Sequence, residues 1–64
     1  MIEDYKMEKY KRHYIHFWKD RNQMNIEIVF KKSKVGGAVL GAVTKREALI
    51  YAKRRIDTME FNSR

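Results

Sequence analysis

Two histidines and a scatter of carboxylates are the side chains here that could carry acid–base or metal chemistry. His13 and His16 stand three apart within YKRHYIHFWK, residues 10–19. On an extended strand an odd spacing sends two side chains to opposite faces, so the pair neither holds a metal jointly nor relays a proton. Asp20, Glu27, Asp57 and Glu60 each sit singly among basic neighbours, and no Ser/His/Asp or Cys/His spacing stands out. Cysteine is absent, which removes thiolate ligands and disulfides together. Gly37 and Gly41 belong to no phosphate loop, because no glycine-rich turn ending in Gly-Lys-Ser/Thr opens a helix. The sequence therefore predicts no enzyme, no metal and no cofactor.

What the side chains offer instead is recognition. The chain carries 15 Lys and Arg against 8 Asp and Glu, a formal net charge of +7. Residues 1–9 hold Glu3, Asp4 and Glu8 against Lys6 and Lys9, so the excess belongs to the remainder, a field that favours polyanions. Within 10–19, alternation places Arg12, Tyr14, His16 and Trp18 on one face and His13, Ile15 and Phe17 on the other. Cations neutralise phosphates with release of counterions, and aromatic rings can stack on unpaired bases. Arg12, Tyr14, His16, Trp18 and Lys31, extended by Arg21, Lys32 and Lys34 in and beside the flanking turns, are the candidate nucleic-acid-binding residues. The competing expectation for Tyr14 and Trp18 is cover by the N-terminal segment or by a second subunit, since large aromatics are seldom left bare.

Positioning those residues requires a sheet and something to back it. YKRHYIHFWK is dense in aromatic and β-branched residues and reads as a first strand. Asp20, Arg21, Asn22 and Gln23 read as a hairpin loop. NIEIVFKK, residues 25–32, alternates Ile26, Ile28 and Phe30 against Glu27, Val29 and Lys31 and gives a second strand. Lys32, Ser33 and Lys34 make a cationic turn, and VGGAVLGAV, residues 35–43, a third strand whose glycines predict a bulge. Residues 44–59, TKREALIYAKRRIDTM, form an amphipathic helix, opened by Thr44 and Glu47 as a capping box. Ala48, Leu49, Ala52, Ile56 and Met59 share its core stripe. Asp57 is expected to pair along the helix with Lys53 or Arg54. Residues 1–9 show no clean period and read as a flexible or irregular arm. The expected fold class is α+β: a three-stranded antiparallel sheet packed on one C-terminal helix, β-β-β-α, with residues 10–64 as a single domain.

Leu40, Gly41, Thr44, Glu47, Ala48 and Tyr51 carry a family resemblance. The stretch VLGAVTKREALIYA, preceded by NIEIVF, resembles the third strand and helix of the DNA-binding domain of plant ethylene-response factors. It is similar, too, to the arm-site-binding domain at the N-terminus of phage and transposon integrases. The resemblance implies a DNA-binding sheet, with the contacting strand residues near Arg12, Tyr14, His16, Trp18 and Lys31, and a source in a phage or other mobile element. Thr44, Lys45, Arg46 and Ala48 also resemble the start of the last helix of double-stranded-RNA-binding domains, a weaker likeness, so DNA is favoured over RNA.

A second function class stands beside this one. Ile50 and Phe61 are apolar yet fall on the solvent side of the helix with Lys53 and Arg54. Such a surface suits a small non-enzymatic inhibitor or adaptor docking on an acidic protein. A homodimer through the same patch or a sheet edge would add the core that a chain this short lacks. No run of 18 apolar residues exists, and charges occupy the N-terminus where a signal peptide is apolar, so the expectation is a cytoplasmic protein with no membrane partner.

Overall fold

The computed structural model describes residues 2–62. Four strands and one helix follow in order: β1 (Glu3–Tyr10), β2 (His13–Asp20), β3 (Gln23–Phe30), β4 (Ser33–Gly41) and α1 (Lys45–Asn62). The strands form one antiparallel meander in the order β1-β2-β3-β4. The sheet thus has four strands where the sequence predicted three: residues 3–9, expected within a flexible or irregular arm, join Tyr10, expected to open the next strand, as its first strand. The fold remains α+β with a single C-terminal helix over an antiparallel sheet.

The missed strand has a physical explanation. Glycine and asparagine usually mark a two-residue hairpin, because both central residues need positive φ. Here the β1–β2 turn is Lys11-Arg12 (φ 46° and 68°), the β2–β3 turn Arg21-Asn22 (52° and 62°), and the β3–β4 turn Lys31-Lys32 (51° and 66°). All three are type I′ in sign, and five of the six residues are Lys or Arg. A non-glycine side chain in the left-handed region costs roughly 1 kcal/mol. The turn at 11–12 is therefore written in residues that argue against it, inside a run of strand formers.

Alternation delivers one face of this sheet to the helix. Ile15, Phe17, Met24, Ile26 and Ile28 are buried there against Ala48, Ala52 and Ile56. Tyr10, Ala38, Leu40, Val43, Leu49, Tyr51 and Met59 pack partly buried around them. Met24 belongs to this core because β3 begins at Gln23, two residues before the strand read from sequence. Leu40 turns inward while Val39 is exposed. Val35 and Leu40 are the extra residues of two bulges, since Val29 pairs with Lys34 while Ile28 pairs with Gly36, and Met24 pairs with Gly41 while Asn25 pairs with Val39. Each bulge interrupts the ladder locally and increases the twist of β4. Gly37 cannot carry a side chain freely, because a Cβ there would lie 3.1 Å from the Ile26 carbonyl oxygen.

The helix begins as its sequence specifies. The Glu47 amide donates to Thr44 Oγ1 at 3.1 Å, and the Thr44 amide donates to Glu47 Oε1 at 3.3 Å, the two halves of a capping box. Asp57 does not pair along its own helix. Its Oδ1 instead accepts from Lys11 Nζ at 2.6 Å and from the Tyr10 hydroxyl at 3.0 Å, pinning the helix to the β1–β2 turn.

Candidate nucleic-acid interface

The face of the sheet turned away from the helix is built in rows by strand register. Lys9, Tyr14, Val29 and Lys34 form one row across all four strands. Met7, His16, Glu27 and Gly37 form the next. Trp18, Asn25 and Val39 form a third, with Tyr5 against Trp18. Tyr14, His16 and Trp18 thus stand down the middle of this open face as alternation predicted. His13, on the other face, is buried against Phe30, and its Nδ1 donates to the Lys11 carbonyl at 2.7 Å. The two histidines are on opposite sides of the sheet.

The first strand contributes to this face what the sequence reading missed. The Tyr5 ring stacks on Trp18, with centroids 6.4 Å apart and planes 26° apart, and its hydroxyl hydrogen-bonds His16 Nδ1. Lys9 Nζ sits 5.9 Å from the centre of the Tyr14 ring. Part of the cover expected over Tyr14 and Trp18 is therefore supplied by the chain itself. Trp18 stands as a ridge between two shallow grooves, one of about 230 Å³ with Ile2, Tyr5, His16 and Glu27, the other of about 340 Å³ with Asn25, Lys34, Gly37 and Val39.

The cations are placed differently from the aromatics. Arg12 and Lys31, expected on the open face, lie in turns instead, because the strands end at Tyr10 and Phe30; Lys32 lies in its turn as expected, whereas Lys34, expected in that turn, belongs to β4. A meander returns to the same end every second turn, so the Lys11-Arg12 and Lys31-Lys32 turns lie together at one end of the sheet. Lys34 and Lys9 belong to the row of the open face nearest that end. Arg21 lies at the opposite end, apart from the others. The open face is therefore aromatic at its centre, with its positive charge gathered at one end.

Within each dibasic turn the first cation is engaged. Lys11 Nζ lies 5.3 Å from the centre of the Tyr10 ring and pairs with Asp57. That hydrogen bond raises the Lys11 pKa above its ordinary value and, with the Tyr10 hydroxyl, lowers that of Asp57. Lys31 Nζ lies 5.3 Å from the centre of the Phe30 ring. Arg12 and Lys32, the second residues, have no hydrogen bond, ion pair or ring contact among the described residues.

The helix surface divides the residues suggested for protein docking. Ile50 is 46% and Phe61 76% exposed. They lie eleven residues apart, about 16 Å along the axis, so they form two separate spots. Arg54 is exposed beside them, whereas Lys53 packs its ammonium 5.3 Å from the centre of the Tyr10 ring. Among the described residues no group of three or more His, Cys, Asp or Glu is placed to hold a metal ion. No helix among them is long and apolar enough to cross a membrane. Comparison with models of protein families, with curated proteins and with solved structures finds no match.

Proposed function

We propose that this chain is a small, basic, non-enzymatic nucleic-acid-binding protein that engages DNA with the open face of its sheet and the cationic end of that face. The observation that carries this reading is the row Lys9, Tyr14, Val29 and Lys34, which has a lysine at each end and an exposed tyrosine between them, next to the dibasic turns. Phosphates would be neutralised at that end while Tyr14 and Trp18 offer ring surface to the sugar–base side. The resemblance of the Leu40 to Tyr51 stretch to plant ethylene-response and integrase arm-site domains supports a DNA-facing sheet, with a mobile element as the source. The fourth strand is a departure from their three-stranded plan.

Trp18 is the only tryptophan and reports on this face directly. Titration with unlabelled duplex should quench or shift its emission, and the Tyr14→Ala and Lys34→Ala variants should each weaken binding severalfold with an unchanged circular-dichroism spectrum. Binding that is indifferent to both substitutions would place the contact elsewhere.

The exposure of Phe61 supports a second reading, an adaptor docking on an acidic protein through Ile50, Arg54 and Phe61. Phe61→Ser should abolish such an interaction and leave nucleic-acid binding intact.

A further inference from the structure

The two dibasic turns repeat one arrangement. Tyr10-Lys11-Arg12-His13 and Phe30-Lys31-Lys32-Ser33 each end a strand on an aromatic ring, lay the first cation over it, and leave the second cation without a partner among the described residues. Each turn and its following strand span ten residues, so the repeat falls every twenty, two strands apart at one end of the sheet. Two interstrand spacings separate the turns by about 10 Å.

The residues chosen for these turns work against the backbone. Arg12 and Lys32 sit at φ 68° and 66°, where glycine is the residue that a type I′ turn favours. Strain kept at charged, unpartnered positions points to a ligand for the charge. From this we infer that Arg12 and Lys32 form a two-point phosphate clamp, held at fixed separation by the turns and by the anchoring of Lys11 and Lys31, and that its ligand is the backbone of a duplex nucleic acid. A separation of about 10 Å, with flexible side chains at both points, spans phosphates on the two sides of a duplex groove, whose widths are about 6 and 12 Å. This rests on the nucleic-acid reading above and locates its phosphate contacts.

The test exploits the opposition between backbone and charge. The full-length Arg12→Gly/Lys32→Gly variant should melt at a higher temperature than the wild type and bind a labelled duplex at least tenfold more weakly. Its dependence of log K on log salt should flatten by about two, as expected for two lost phosphate contacts. A charge-matched Lys45→Gln/Arg46→Gln variant, altered at the far end of the helix, should keep the wild-type slope to within one unit. A single strand of equal length should lose less than threefold affinity on the glycine substitutions. A duplex loss below tenfold, an unchanged slope, or an equal loss on single strands overturns the clamp and leaves the open-face reading standing. Failure of the wild type to bind duplex, with binding to anionic vesicles or to an acidic protein instead, overturns both.

Discussion

At Thr44, Asn22 and Asp57 single side chains decide local energies. Thr44 and Glu47 satisfy one another's end of the helix, and Thr44→Ala should cost about 1 kcal/mol in chemical denaturation. Asn22 occupies the second, positive-φ position of the β2–β3 turn, so Asn22→Gly should be neutral or slightly stabilising in the same measurement. Asp57 ties the helix to β1, and its carboxyl titrates below the ordinary 3.8 while Lys11 titrates above 10.5. A carboxyl with a depressed pKa stabilises the fold above its ordinary value and loses that contribution as pH falls through the depressed one. A lysine with a raised pKa stabilises below its ordinary value and loses that contribution as pH rises through the raised one. The melting-temperature gap between the wild type and Asp57→Asn should therefore be widest between these limits. It should close toward both extremes, and a gap independent of pH would rule out the ion pair.

Among the elements, β1 is the one whose stability is borrowed. Every residue from Glu3 to Lys9 is exposed, and β1 is held by its ladder to β2, the Tyr5 contacts on His16 and Trp18, and the Tyr10 and Lys11 bonds to Asp57. Its amides should exchange with solvent faster than those of β2 and β3, and Tyr5→Ala should redden Trp18 emission by uncovering the indole. Exchange from β1 as slow as from β3 would contradict this. The same feature explains why β1 was illegible in the sequence. A strand with neither face buried imposes no alternation, and a turn made of Lys11 and Arg12 leaves no glycine to mark it. Where burial is one-sided the sequence was clear: Ile26 and Ile28 on β3, His13 against His16 on β2, and Ala48, Ala52 and Ile56 on the helix all lie as their spacing requires. Asp57 escaped because its partner is 46 residues away, a distance that no local pattern encodes. Charge along β1, its bulge near Asp4, and the two bulges of β4 leave both sheet edges poor templates for another strand.

For the molecule as a whole, a small core carries the fold and the surface is left to charge. A chain of this size buries only about 60% of the surface exposed when unfolded, so each core group counts. Ile56 is fully buried between the sheet and the helix, and Ile56→Ala should cost about 3 kcal/mol, enough to leave much of the population unfolded. The net charge of +7 is then the dominant long-range property, and the meander brings two dibasic turns of it to one end of an aromatic face. The most direct test is fluorescence anisotropy of a labelled DNA duplex titrated with the wild-type protein between about 50 and 200 mM salt. Micromolar or tighter binding at the lower salt, with a log–log slope of about −3 or steeper, is the expected result for contacts through Lys9, Arg12, Lys32 and Lys34. Absence of binding at the lowest salt would contradict a nucleic-acid role for this face.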